Sequence, residues 1–122
     1  MKKVKVDFFG AEEEIYFDIS RIMEVEKATG LSIGQIIMSQ QLNMSNLAVL
    51  LMIGMKHTTH KKTVPNWAEE IEKALNDGVE IMEIQEAVSK ALVGSGILGK
   101  AAYYKVFPEE LTPETKAEII KN

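Results

Sequence analysis

The feature that most constrains the fold is an uninterrupted apolar run of nine residues, Leu47 to Met55. A helix needs about 20 apolar residues to cross a bilayer, so this run is too short for a membrane span. Because it is apolar on every side of a helix, it belongs in the centre of a domain or in an interface. We therefore predict a central helix that begins after Ser45 as its N-cap residue.

The size and composition of the chain predict one globular domain around that helix. The chain has 122 residues, of which 46% are apolar and 26% are charged, as in ordinary folded domains. Residues 1–98 are predicted to form an α-rich domain. Residues 99–122 are predicted to form a less regular C-terminal tail with a short terminal helix that opens at Thr112-Pro113.

Two short runs of alternating residues near the N-terminus predict a β-hairpin. Val4, Val6 and Phe8 share one face of the first run, and Ile15 and Phe17 share one face of the second. A short loop that contains glycine joins the two runs. Lysines on the outer face of the first strand oppose glutamates on the second, so the two rows can pair. Since a lone hairpin is marginally stable, its apolar face must pack on helices.

The first helix has a recognisable signal at each end. Asp18 is a good N-cap residue, and Gly30 is a good residue to end the helix. Between them, Ile19, Ile22 and Met23 form the stripe that we expect to face the core.

Similar signals predict the helices that come next in the chain. Ser32 and Gln35 have the spacing of a capping box. Pro65 fits the first turn of another helix, and Asn76-Asp77-Gly78 ends it before a further helical stretch. The predicted fold class is α+β and mostly α-helical, with an N-terminal β-hairpin packed on a bundle of about five helices.

Residue types that carry catalysis are scarce in this chain. There is no cysteine, and two histidines, His57 and His60, are too few for a metal site. The dipole of the preceding helix is expected to favour a charged His57 at the helix C-terminus. The carboxylates of residues 12–14 fit a solvated turn, and the glycines near Gly96 match no phosphate-binding loop. We therefore predict no catalytic residue, no metal and no cofactor, and a protein that is not an enzyme.

Glu26 is an acidic residue close to the apolar stripe of the first helix. We expect its stem to lie along the stripe and its carboxylate to reach the helix edge or a backbone donor. No histidine or lysine partner for acid–base chemistry can be assigned to it. Its expected role is therefore structural.

The seven methionines have two interpretations. They can fill gaps in the core, or they can form an adaptable surface that repacks around different partner helices. Apolar residues around the central helix also exceed what a chain of this size easily covers, which predicts self-association into a homo-oligomer.

The charge and the N-terminus narrow the expected partners and location. A net charge of −4 is opposite to the basic footprint of nucleic-acid-binding proteins, so we expect no nucleic-acid partner. Met1-Lys2-Lys3 precedes alternating residues instead of the apolar stretch of a signal peptide. With no membrane-spanning run either, we expect a cytoplasmic protein that has no membrane contact.

The order of these parts resembles a known family. Within residues 4–95, a hairpin is followed by a helix, a short helix and an apolar helix. The first helix ends Val25-Glu26-Lys27-Ala28-Thr29-Gly30, and the apolar helix ends Gly54-Met55-Lys56-His57. In these features the chain resembles the tail assembly chaperones of long-tailed (siphophage-type) bacteriophages and prophages, including the related small tail assembly protein of gene transfer agents. Glu26, Thr29 and Gly30 carry the most recognisable part of the motif.

The resemblance implies a non-catalytic chaperone of the bacterial host cytoplasm. Such a protein coats and solubilises the tape measure protein during tail morphogenesis and is absent from the mature virion. The implied partners are the tape measure protein, other copies of the chain, and the tail-tube protein, which a frameshifted longer form contacts. An amphipathic partner helix would offer apolar anchors to a groove. The contact residues that we predict are Met38, Met44, Met52, Met55, Tyr103, Tyr104 and Phe107.

Two functions from other classes stay open. A DNA-binding regulator of bacterial or prophage origin would use residues 79–96 as its recognition element, although the acidic charge of the chain disfavours this. A small helical adaptor or antitoxin-like module has no residue that distinguishes it from a tail protein. Only the gene neighbourhood would separate such a module from a tail assembly chaperone.

Overall fold

The computed structural model describes residues 1–38, 42–58 and 63–114. Within these residues the chain forms two β-strands, six α-helices and one short 3₁₀ helix. In chain order they are β1 (Val4–Val6), β2 (Glu13–Ile15), α1 (Ile19–Thr29), α2 (Ile33–Met38), α3 (Met44–Gly54), α4 (Val64–Asn76), α5 (Ile81–Val93), α6 (Lys100–Val106) and the 3₁₀ helix Pro108–Glu110. This architecture confirms the predicted α+β, mostly α-helical fold with an N-terminal hairpin.

The two strands form an antiparallel hairpin in which Val4 lies opposite Ile15 and Lys5 lies opposite Glu14. Lys5 Nζ lies 3.7 Å from Glu12 Oε1 in the loop before β2, and both side chains are exposed. This ion pair lies at the loop, and the predicted pairing of lysines with glutamates across the two strands stays a prediction.

The first strand is shorter than predicted. β1 ends at Val6 and residues 7–12 form the loop, so Phe8 leaves the alternating face and is only partly buried. Phe9 is buried instead, and its ring meets Trp67 of α4 edge-on with ring centroids 5.1 Å apart. This aromatic contact with a distant helix decides which phenylalanine lies inside.

α3 is the central helix, as predicted, and it packs against α1, α4 and α5. Its buried residues are Leu47, Ala48, Leu50, Leu51, Ile53 and Gly54. The N-cap residue is Asn43, whose side chain accepts a hydrogen bond from the backbone N–H of Asn46 at 2.9 Å. The prediction of Ser45 as the cap is therefore wrong, by two residues.

Gly54 is the point where the hairpin meets the central helix. A Cβ atom at this position would lie 2.7 Å from Phe17 Cζ and 2.9 Å from Ile15 Cγ2, so glycine is needed for this close approach. The backbone N–H of Tyr16 also donates to the Gly54 carbonyl at 3.2 Å. The apolar face of the hairpin thus packs on the end of α3.

α1 has the predicted ends but not the predicted inner face. The Asp18 side chain accepts from the backbone N–H of Arg21 at 2.8 Å, and Gly30 ends the helix with a φ of 73°. Ile19 and Met23, however, are 57% and 64% exposed. The residues that α1 buries are Arg21, Ile22 and Val25.

The predicted signals at the starts of α2 and α4 are also present. The backbone N–H of Ser32 donates to Gln35 Oε1 at 2.9 Å and that of Gln35 donates to Ser32 Oγ at 3.1 Å, which confirms the capping box. Pro65 lies in the first turn of α4, as predicted. Of the helices in the described ranges, none is long and apolar enough to cross a membrane.

The segment after residue 98 contains α6 and the 3₁₀ helix, and it is attached to the N-terminus. Lys2 Nζ lies 3.1 Å from Glu110 Oε2, and the Tyr103 hydroxyl donates to Glu110 Oε1 at 2.8 Å. The separate tail that begins at residue 99 stays a prediction. Most of the predicted terminal helix, from residue 115 onward, lies outside the described residues.

Candidate partner-binding surface

The methionines lie mainly on the surface. Five of the seven are exposed, with exposed fractions between 50% and 84%. They are Met1, Met23, Met38, Met44 and Met82. Burial of a methionine contributes to stability by removing apolar area from water, and an exposed one forgoes that gain. Of the two interpretations that the sequence left open, filling gaps in the core therefore explains few of these residues.

Two of the predicted contact residues are accessible and lie close in sequence. Met38 ends α2 and is 84% exposed, and Met44 begins α3 and is 50% exposed. Residues 39–41, which connect them, lie outside the described residues. We call Met38 and Met44 the methionine pair.

Met52 lines a shallow groove between α1 and α3. The lining residues are Glu24, Ala28, Met52, Ile53 and Lys56. Lys56 Nζ is 2.9 Å from both carboxylate oxygens of Glu24, so an ion pair joins the two sides of the groove. Met52 is half-buried there.

Met55 is a correction to the predicted contact residues. It directly succeeds the last residue of α3, and its side chain is 1% exposed within the main apolar core. A partner cannot reach Met55 in this conformation. The sequence pattern did not distinguish Met55 from the exposed methionines. Met55 lies one residue past the end of α3, and its side chain still points into the core.

The three predicted aromatic contact residues form a small cluster of their own. The ring of Tyr103 lies 5.1 Å from that of Tyr104 and 5.1 Å from that of Phe107, measured between centroids. The two tyrosines are half-buried, but Phe107 is only 6% exposed and is not available to a partner. Phe107 is thus a second correction. The cluster also contacts the N-terminus, because Lys2 Nζ lies 5.6 Å from the centroid of the Phe107 ring.

The prediction missed two exposed apolar residues of α1. Ile19 and Met23 are four residues apart, so they share one face of the helix. The prediction placed both in the core, whereas both are more than half exposed. We call them the α1 pair. Arg21, which lies between them in the sequence, faces inward instead and donates to the Gly54 carbonyl.

The three motif residues build the turn between α1 and α2. Glu26 Oε2 accepts a hydrogen bond from the backbone N–H of Ile33 at 3.1 Å. Thr29 Oγ1 donates to the Val25 carbonyl at 2.8 Å, and Gly30 supplies the left-handed backbone conformation. The expectation that the Glu26 carboxylate reaches a backbone donor is confirmed.

Arg21, the one arginine in the sequence, is buried with 5% of its surface exposed. Nη1 donates to the Gly54 carbonyl at 3.0 Å and contacts His57 Nδ1 at 3.0 Å, while Nη2 donates to the Tyr16 hydroxyl at 2.8 Å. The Tyr16 ring covers the guanidinium at 3.8 Å. No carboxylate in the described part of the chain forms an ion pair with it.

His57 differs from the sequence-based expectation. Burial and the neighbouring Arg21 charge lower its pKa below the ordinary value, and a hydrogen bond with the Glu14 backbone only partly opposes this. The helix dipole was expected to favour the charged form. The other histidine, His60, lies outside the described residues. Among the residues that are described, no group of three or more potential metal ligands occurs.

Comparisons with known proteins identify no relative: no family model, no curated protein and no solved structure matches the chain. The function of the chain must therefore be inferred from its own residues and their geometry.

Proposed function

We propose that the protein is a tail assembly chaperone that binds the tape measure protein of a phage or prophage and keeps it soluble during tail assembly. The observation that carries this proposal is the exposure of five of the seven methionines. The resemblance in the order of elements supports it. The chaperone acts in the host cytoplasm, has no catalytic role and is absent from the mature virion.

Methionine suits a surface that must hold many different segments of a long helix. Its side chain is unbranched, flexible and polarisable, so it adapts to varied apolar partners. Promiscuous binding surfaces use this property. The methionine pair and the α1 pair together give four exposed apolar side chains between residues 19 and 44. An amphipathic helix with apolar anchors one turn apart is the partner that such side chains fit.

The same exposed side chains account for the proposed self-association. A coat on a long helix needs several copies, and apolar contacts between copies would remove more of this surface from water. The proposed contact with the tail-tube protein belongs to a longer, frameshifted form. A slippery heptamer between the codons for Leu92 and Asn122, succeeded by an overlapping frame, would support that form, and its absence would contradict it.

Co-expression with the neighbouring tape measure gene tests the proposal. The chaperone should raise the soluble yield of the tape measure protein and elute with it in molar excess. The double variant Met38→Glu, Met44→Glu should lose both effects, because it places two charges where apolar side chains are to be buried. If the tape measure protein stays insoluble with the wild-type chaperone and nothing elutes with it, the proposal is wrong.

A charge-matched control is available beside the methionine pair. The double variant Gln35→Glu, Ser45→Glu adds the same two charges at exposed positions in the first turns of α2 and α3. Glutamate is compatible with the capping box of α2 and with the N-terminus of a helix. This variant should keep the chaperone effect. Circular dichroism should show that both double variants stay folded.

The two other function classes receive less support. α5 forms most of the recognition element that a DNA-binding regulator would use, and it directs six residues into the core. Its exposed positions include Met82, Glu83, Glu86 and Lys90. Two carboxylates on that face disfavour contact with DNA phosphates. A helical adaptor would share the exposed methionines, and the gene neighbourhood separates it from a tail chaperone.

A further inference from the structure

Three elements meet around the Arg21 guanidinium: α1, which carries it, the end of the hairpin at Tyr16, and the end of α3 at Gly54 and His57. We propose that His57 is an acid-sensitive lock at this seam, holding the end of α3 to α1 and the hairpin only while its ring is neutral. This inference is independent of the proposed function.

The geometry requires a neutral ring with a bare Nδ1. A guanidinium has only donors, so an Nη1–Nδ1 distance of 3.0 Å is a hydrogen bond only if Nδ1 carries no proton. The proton of the neutral ring must then lie on Nε2. Protonation would give the ring a second N–H, at Nδ1, which would face the N–H of Arg21. It would also bring two positive charges together. The contact cannot survive in that state.

Other charges near His57 do not remove this conflict. Lys3, which precedes β1, also disfavours a charged His57, and its Nζ lies 5.2 Å from the centroid of the Tyr16 ring. Of the described residues, Glu14 of β2 is an acidic group that favours the charged form. The remaining charged residues that line the cleft beside His57 are Lys5, Glu12 and Glu13.

Loss of the contact would act on the seam directly. Nη1 bonds both His57 and the Gly54 carbonyl, so Arg21 would keep only one of its two bonds to the end of α3. The Tyr16 ring, which is tilted against His57 with centroids 4.7 Å apart, would lose that neighbour as well. The hairpin and α3 would then be joined here by the Tyr16–Gly54 backbone bond and by the remaining bonds of Arg21 to Tyr16 and Gly54.

The sign of the pH dependence comes from the lowered pKa. In the unfolded chain His57 has the ordinary histidine pKa of about 6.5, so below this pH it binds a proton more readily there than in the folded chain. The stability that the lock contributes is therefore complete above about pH 6.5. It is lost as the pH falls from there through the lowered pKa of the folded state.

Nuclear magnetic resonance of the full chain with labelled histidines tests the lock. At about pH 7.5 one of the two histidines should be the Nε2–H tautomer, and its pKa should lie below the ordinary histidine value of about 6.5. The signals of this residue should disappear in His57→Gln and remain in His60→Gln. An Nδ1–H tautomer for His57, or a pKa at or above the ordinary value, would overturn the proposal.

Urea unfolding at about pH 7.5 and about pH 5.5 gives a second, independent readout. The midpoints of the wild type and of His60→Gln should fall by similar amounts between the two pH values. His57→Gln, whose amide oxygen can still accept from Arg21 but does not titrate, should fall less. Equal falls for all three would overturn the lock. If His57→Gln does not fold, the tautomer and the pKa measured in the wild type decide.

Discussion

The Glu26 carboxylate and the backbone N–H of Ile33 are hydrogen-bonded at 3.1 Å, so a side chain of α1 binds the first residue of α2. The first N–H groups of a helix have no partner within the helix. Glu26 satisfies one of them, while Ser32 and Gln35 form the capping box beside it. This contact joins α1 to the start of α2 across the Gly30 turn.

Removal of the Glu26 side chain should therefore destabilise the fold. Glu26→Ala leaves the Ile33 N–H without its acceptor and should lower the free energy of unfolding by about 1–2 kcal/mol. Glu26→Gln keeps an acceptor oxygen and should lose less. Glu72→Ala on the exposed side of α4 is the control and should change stability by less than about 0.5 kcal/mol. Urea denaturation measures all three, and equal stability of Glu26→Ala and Glu72→Ala would contradict the role of Glu26.

Two glycine-to-alanine changes should have opposite effects. In Gly54→Ala the new Cβ would meet Phe17 Cζ at 2.7 Å, and overpacking of this kind costs about 1–3 kcal/mol. In Gly34→Ala of α2 the nearest atom is Ser32 Oγ at 3.9 Å, so the helix should gain up to about 1 kcal/mol. Thermal unfolding of the two variants checks both directions. A tolerated Gly54→Ala would mean that the hairpin does not pack on α3 this closely.

The hydroxyl of Tyr16 should contribute more to the stability of the fold than that of Tyr104. Tyr16→Phe keeps the ring over Arg21 but removes the acceptor of the 2.8 Å bond from Nη2, which should cost about 1–2 kcal/mol. Among the described residues no hydrogen bond of the Tyr104 hydroxyl occurs, so Tyr104→Phe should change stability by less than about 0.5 kcal/mol. Chemical denaturation at neutral pH compares them. The reverse order would contradict the buried network.

Tyr103 should ionise only at unusually high pH. Burial and its hydrogen bond to Glu110 raise the pKa of Tyr103 to about 12. The folded state therefore holds this proton more tightly than the unfolded chain does. The resulting stability is present below about pH 10 and is lost as the pH rises through about 12.

A titration of phenolate absorbance measures this directly. The step at highest pH should disappear in Tyr103→Phe and persist in Tyr104→Phe, which retains the Glu110 contact. The same bond has the opposite effect on the pKa of its acceptor: the Tyr103 hydroxyl and Lys2 lower the pKa of Glu110. The attachment of the C-terminal segment should therefore weaken as the pH falls through that lowered value. Three tyrosines that titrate together would contradict the Tyr103–Glu110 bond.

Local signals predicted the helix ends well because a cap acts over three or four residues. Asp18, Gly30 and the Ser32–Gln35 box are all set by neighbours in sequence. The central position of α3 is likewise set by its own composition. Such features need no knowledge of distant parts of the chain.

The inner face of α1 could not be predicted in the same way. Ile19 and Met23 are as apolar as Ile22, but Arg21 lies inside because Gly54 and His57, more than 30 residues away, accept its hydrogen bonds. Contacts over such a separation leave no periodic trace in the sequence. Phe9 is a second example, since Trp67 of α4 decides that it is buried.

The burial of the chain's single arginine also makes it a natural chemical reporter. Reagents that condense with guanidinium groups, such as phenylglyoxal, can reach Arg21 only when the seam opens, because it is 5% exposed in the folded protein. The surface of the described chain carries lysines that these reagents leave largely unmodified. The rate of arginine modification would then report how often the seam around Arg21 opens, and no introduced probe would be needed.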